Sequence, residues 1–280
     1  MLDDYVNIYF NSALSAEEPT EAFTMLFLFL ARMLPIIAQS PFFGARVLPN
    51  PVKVIFAFTL FTIFIPHLLA VTTTKLLFNP LSIALFAKEI FIGFLLGFIM
   101  SIPFVIVQSA GLMIDHQRGG ASLMVNDPTI QNQSSPLGTL FNMVLIVIFY
   151  SIDGPFLFID AIMKSYEIVP PDKFINPHFF ETTSVFWQTA LTFLNTVMKL
   201  SIQLASPALI AILMTDVFLG IANRLATQVQ ITFLGMPLKS LLALLVVFIG
   251  WKILTSQMGK EAFVWLKKID QIILMFKNPT

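Results

Sequence analysis

The 280 residues contain no cysteine, only three histidines, three tryptophans and four tyrosines, and just 11% charged side chains. Without cysteine there is no disulfide framework, thiolate nucleophile or Cys-ligated metal, and no clue to the redox compartment. The scarcity of charge excludes more. A soluble domain carries about 25% charged residues, so this chain cannot solvate an ordinary globular surface. With 57% hydrophobic residues and a mean hydropathy of +0.84, most of it must face lipid or other apolar protein. Disorder and nucleic-acid binding fall for the same reason.

Basic residues are missing from the first 21 positions, which hold Asp3, Asp4, Glu17, Glu18 and Glu21. A signal peptide needs a basic start, so the first apolar run, Ala22 to Ala38, is expected both to target the chain and to stay. The segment 252–280 reverses the bias, with Lys252, Lys260, Lys267, Lys268 and Lys277 against Glu261 and Asp270, a net +3. The positive-inside rule places this tail in the cytoplasm and, more weakly, the acidic segment 1–21 outside.

What is present is six apolar blocks. Val54–Thr74 and Ile90–Ile114 suit a span of about 20 residues. Leu137–Ile152 is short but extensible through Phe156–Ile159. Thr182–Thr215 and Leu225–Trp251 are broken only by Lys199 and Lys239, and Ala22–Ala38 contains Arg32 and Pro35. Six crossings would put both ends on one side, against the charge bias, and the parity stays open. A charge in mid-membrane costs roughly 2.5–3.5 kcal/mol on insertion scales. Pro35, Pro66, Pro103, Pro207 and Pro237 also lie inside the runs, each removing a helix hydrogen bond. Such helices are expected to be buried in a protein assembly. The plainer alternative is an ordinary polytopic protein with kinked helices and interior charges. Thirty Phe are packing surface, whereas interfacial belts use Trp and Tyr. Trp187, Trp251, Trp265 and Tyr150, near block ends, are the candidate anchors. Gly93 and Gly97 form a small-xxx-small pair that admits a close helix.

The stretch Gln108–Leu140 carries Gly111, Gly119, Gly120, Pro128, Pro136 and Gly138 among uncharged polar residues, and reads as a long irregular loop. Its Leu112, Met113, Ile114, Leu123, Met124 and Val125 suit a deformable seal, Met being adaptable; a plain cytoplasmic connector accounts for them equally well. Asp115, His116 and Arg118 invite an acid–base reading, and Asp115 with Asp216 an intramembrane protease, but neither sits in a catalytic or phosphate-binding motif. Asp115 and Arg118 are expected to form a local i,i+3 pair, and the protein is expected to be no enzyme and to hold no cofactor or metal. Around Asp216, Gly220, Asn223, Arg224, Gln228 and Gln230, an interface helix and an ordinary cytoplasmic hairpin both remain open.

Taken in order, these stretches resemble the T subunit of the type III secretion export apparatus, the injectisome counterpart of the flagellar export protein FliR. The matching pieces are Ser40-Pro41-Phe-Phe-Gly44 with Pro49; Glu89, Gly93, Gly97 and Phe98; and Gly111-Leu-Met-Ile-Asp115-His-Gln117-Arg118-Gly119 with Asp127-Pro128 and Ser135-Pro136-Leu-Gly138. Ser165 to Pro170 follow, then Pro207, Asp216, Gly220, Asn223-Arg224, Gln228 and Lys239. The match runs from about residue 25 to 255. Thr227 stands where the family has Pro, and Asp153-Gly154-Pro155 replaces a Gly-His. The wording Asp115-His-Gln-Arg-Gly119 looks more injectisome than flagellar.

The resemblance implies an all-α, polytopic helical membrane protein with broken helical hairpins. It would form one export-gate domain over 1–280 in the bacterial inner membrane. It implies R and S subunits as partners in a cone-shaped gate, much of it above the bilayer, with a U-type switch subunit at the entrance, lipid around it and unfolded secreted proteins in transit. The segment 108–140 would be the plug of the pore, carried by Gly111, Met113, Asp115, Gln117, Arg118, Gly119 and Met124. Glu89, Gly93, Gly97, Asp216, Asn223, Arg224 and Lys239 would lie at subunit interfaces. The alternative, a stand-alone solute transporter or channel, predicts an inverted repeat, and the Gly-rich loop of the first half has no counterpart in the second.

Overall fold

A computed structural model describes residues 19–44, 48–73, 76, 80–119, 125–126, 133–175, 185–225 and 231–276. Among these the chain is all-α, with eight α-helices: α1 (Pro19–Gln39), α2 (Asn50–Val71), α3 (Pro80–Gln117), α4 (Pro136–Ser151), α5 (Gly154–Ile168), α6 (Val185–Leu225), α7 (Ile231–Ile249) and α8 (Trp251–Met275). A two-residue antiparallel ladder, Val125–Asn126 with Gln133–Ser134, is the extended structure described.

Proline sets many of the starts. Helices α1 and α3 begin on a proline, and α2, α4 and α5 carry one in the first two positions. There the missing N–H is one the helix does not use. At α4, Ser135 caps as well, its Oγ accepting from Gly138 N at 2.9 Å. The interior prolines Pro35, Pro66, Pro103, Pro207 and Pro237 all lie within helices. Pro41–Phe43 forms a 3₁₀ turn closed by Gly44 at φ +75, a left-handed conformation suited to glycine.

The expected loop Gln108–Leu140 is shorter than its glycine content suggests. Helix α3 continues to Gln117 and α4 starts at Pro136. Gly111 therefore does not break α3. A Cβ added there would lie 2.5 Å from Gly138 N and 2.6 Å from Gly138 Cα, so the glycine lets α3 and α4 approach. The described part of the block 182–215 is one helix, from Val185 and extended to Leu225. The block 137–159 is instead broken at Asp153, whose φ of +55 is uncommon outside glycine.

The chain groups into two compact units. The first holds residues 1–101, 153–190 and 265–280, and the second 102–152 and 191–264. The first is cored by rings: Phe29 lies 5.4 Å from both Phe61 and Phe64 and 6.0 Å from Tyr166, and Phe42 packs on Phe158. In the second, Phe104 meets Phe149 at 5.7 Å. Ser201 Oγ of α6 also donates to the Ile106 carbonyl of α3.

Among the described residues four helices are long and apolar enough to cross a membrane, and up to six spans result if each of two bent pairs, α4–α5 and α7–α8, counts as one. The distribution of polarity is that of a membrane protein. Arg32, Glu89 and Asp115 are 0% exposed, while Phe248 is 80% and Leu225 83% exposed. Water would reverse this order; lipid and neighbouring protein favour it.

Candidate functional site: buried ion pairs at helix seams

In the first unit, α1, α3 and α5 meet around Arg32. Its guanidinium grips the Glu89 carboxylate bidentately, Nη2 donating to Oε1 at 2.9 Å and Nε to Oε2. Its other donors reach Ser165 Oγ at 3.0 Å and the Val169 carbonyl at 2.9 Å. The Tyr166 ring lies 3.9 Å from Cζ, a cation–π contact. Lys88 adds a second cation. Its Nζ is 2.7 Å from Glu89 Oε1 and donates to the carbonyls of Pro170, Pro171 and Lys173 at 2.9, 3.1 and 3.0 Å. Those carbonyls lie past the end of α5, where no helical donor remains for them. One carboxylate thus holds two cations, and the cations tie down the chain after α5.

Glycine spacing makes the seam possible. Glu89, Gly93 and Gly97 fall on one stripe of α3, four residues apart. A Cβ on Gly93 would collide with the Arg32 carbonyl oxygen, and one on Gly97 would lie 3.1 Å from Pro35 O and Ile36 Cα. The stripe is covered by α1 of the same chain. This corrects the expectation that Glu89, Gly93 and Gly97 face another subunit: close backbone approach and a buried ion pair use them internally. Gly93→Ala should therefore force α1 and α3 apart and cost about 1–3 kcal/mol, as overpacking does. Gly220→Ala, where an added Cβ meets nothing within 4 Å, should stabilise by roughly 0.5–1 kcal/mol through helix propensity. Thermal unfolding of the detergent-purified protein separates the two.

In the second unit, Asp115 joins α3 to the start of α4. One oxygen accepts from Arg118 Nε at 2.8 Å and lies 2.7 Å from Nη2, the expected i,i+3 pair. The other accepts from Ser135 Oγ and from Leu137 N at 2.9 Å. A carboxylate at a helix N-terminus meets unused N–H groups and the positive end of the dipole. Arg118 Nη1 then reaches Ser240 Oγ of α7 at 3.2 Å. The residues expected in the plug therefore divide. Gly111, Asp115 and Arg118 are buried structural contacts, Met113 is half-buried, and Gln117 and Gly119 are exposed, Gly119 at φ +87. Met124 lies outside the described residues, as does Gln228.

Between α6 and α7, Lys239 Nζ pairs with Asp216 Oδ1, the two side chains 24% and 41% exposed. They border a cavity of about 290 Å³ with Asn223, Gly220 and Met236. Asn223 and Arg224 are exposed near the end of α6. The geometry offers no catalytic arrangement here: His116 is exposed while Asp115 points inward, and Asp115 and Asp216 are each taken by their own cation. Among the described residues no group of His, Cys, Asp or Glu could hold a metal ion. Sequence reasoning singled out Arg32 as a misplaced charge but missed Lys88, Ser165 and Val169 as its company; the Ser165–Pro170 motif was the available signal.

The family described as "Bacterial export proteins, family 1" matches residues 23–263. The chain belongs to this family. It is 30% identical over 224 residues to the secretion system apparatus protein SsaT of Salmonella typhimurium, covering 79% of this chain and 82% of SsaT. It is 32% identical over 190 residues to the Yop proteins translocation protein T of Yersinia pestis, covering 68% and 71%. The flagellar biosynthetic protein FliR of Aquifex aeolicus matches at 23% over 252 residues, 89% and 93% of the two chains. The resemblance to the type III secretion T subunit drawn from the ordered motifs is thereby established, with kinship to FliR. This family is a structural part of export machines and not an enzyme. Within it the buried pairs read as scaffolding, set where a lone charge in an apolar helix would be intolerable.

Proposed function

We propose that this chain is a non-enzymatic subunit of a type III export gate, forming with R-type and S-type subunits the entry pore for unfolded secreted proteins. A U-type switch subunit would stand at the cytoplasmic entrance, and the basic segment after Lys252 would face the cytoplasm. The observation that carries the reading is the family match across residues 23–263, in a chain that buries Arg32, Lys88, Glu89, Asp115 and Arg118 while leaving many large apolar side chains exposed.

Within that reading, the plug is the segment between the two ends of the Asp115 network. Arg118 and Asp115 hold one end, Ser135 and Leu137 the other, and residues 119–134 lie between. The exposed Asn223 and Arg224, with the half-exposed Asp216–Lys239 pair, are the proposed contacts to neighbouring subunits. A partly exposed pair of this kind contributes only about 0–1 kcal/mol to folding, which leaves it free for assembly. Deleting residues 120–124 should leave the complex assembled but leaky to ions and small solutes, measured as dye or proton leak in membrane vesicles. An intact barrier in an assembled deletant would contradict the plug.

A further inference from the structure

The second unit contains a cavity of about 410 Å³ bounded by α3, α6, α7 and α8, with Ile114, Leu204, Ala208, Val247 and Leu254 in its wall. Along α8 its character changes. Ile253 and Leu254 are apolar, while Gln257 and Glu261, one and two turns on, are polar. From Ile253 to Glu261 the helix rises about 12 Å. Glu261 is the one charged residue among those lining the cavity, and Gln257 Nε2 donates to its Oε1 at 3.0 Å. That bond fixes the amide so that the Gln257 oxygen and the second Glu261 oxygen remain as acceptors. The open side is framed by Ile249 and Ile253, 72% and 77% exposed.

We infer that this cavity binds one membrane phospholipid with a primary-ammonium head, one of its two acyl chains against Leu204, Ala208 and Leu254 and its head against Gln257 and Glu261, the other chain remaining in the bilayer. The volume lies within the about 300–1,000 Å³ of small-molecule pockets, which combine apolar walls with a few polar groups. Charge selects the head. A site with one carboxylate, the amides of Gln203 and Gln257, and no cation among its described lining residues suits an ammonium and opposes a purely anionic head. The exposed Ile249 and Ile253 give lateral entry from the bilayer.

The test uses the full chain reconstituted in nanodiscs of equal parts phosphatidylethanolamine and phosphatidylglycerol, then released into native mass spectrometry. One phosphatidylethanolamine should be retained per chain, several-fold over phosphatidylglycerol. Ala208→Phe, which fills the cavity, should abolish retention with helical content unchanged. Glu261→Lys should keep retention but turn the preference towards phosphatidylglycerol, and it decides the matter alone if Ala208→Phe fails to fold. Equal retention of the two lipids by the wild-type chain, or an unaltered preference in Glu261→Lys, overturns the assignment. Loss of the lipid when apparatus subunits are co-purified also overturns it, marking the cavity as a protein-docking site.

Discussion

Glu89→Ala should be the most damaging single substitution in the first unit, costing about 3–5 kcal/mol, the penalty for leaving buried charge without its partner. The reason is arithmetic of charge. Arg32 and Lys88 share this carboxylate, and both are buried, so its removal strands two cations at once. Against a typical total stability of about 5–15 kcal/mol, such a loss should reduce the protein in the membrane and lower its unfolding midpoint in detergent. Arg32→Ala should cost less. Lys88 still neutralises Glu89, and the chief loss is the bonds to Ser165 and Val169, about 1–3 kcal/mol for groups left unsatisfied. The triple replacement Arg32→Met, Lys88→Met, Glu89→Leu should recover most of what Glu89→Ala loses, because apolar residues of similar volume often match a buried ion group. A triple variant as unstable as Glu89→Ala would mean that the polar contacts to the chain after α5, rather than the charges, hold the seam.

The second large effect lies at Asp115. Asp115→Ala removes the counter-charge of Arg118, which is 8% exposed, and leaves Leu137 N without its acceptor. The expected loss is again about 3–5 kcal/mol. Asp115→Asn keeps an acceptor for Leu137 but not the charge, and should fall between wild type and Ala. Ser135→Ala removes the cap on Gly138 N together with one hydrogen bond to Asp115 and should cost about 1–2 kcal/mol. Adding Arg118→Ala to Asp115→Ala should restore part of the stability, because it deletes the orphaned cation while the orphaned N–H remains. Denaturant unfolding of the four variants orders these contributions. If the double variant were no better than Asp115→Ala, the helix cap would outweigh the ion pair.

The same two seams show what a single sequence discloses. Arg32 stood out because an apolar run penalises a charge, so its need for a partner was legible. That the partner was Glu89, 57 residues away, was not, since nothing local distinguishes an internal ion pair from an interface one. The Gly93–Gly97 spacing revealed a close helix contact correctly but not whose helix; α1 of the same chain fills it. Asp115 and Arg118 were readable as a pair because i,i+3 geometry is local. Their link to Ser135 and Leu137 depends on how α3 and α4 meet, which the glycines permit without announcing. Gly111 was read as a loop residue because glycine density marks turns, yet here glycine serves helix contact against Gly138. The five interior prolines were rightly placed within helices. The family itself was legible in ordered motifs, several of which now have physical roles: Glu89 and Ser165–Val169 around Arg32, and Asp115 with Ser135 at the head of α4.

The most direct test of the central claim is affinity purification of the tagged chain from native membranes in mild detergent, followed by identification of what accompanies it. An export-gate subunit should bring down R-type and S-type apparatus proteins in fixed ratio, and Arg224→Ala or Asp216→Ala should weaken that recovery while leaving the chain itself in the membrane. A protein that purifies alone, stable and transporting a small solute, would contradict the account.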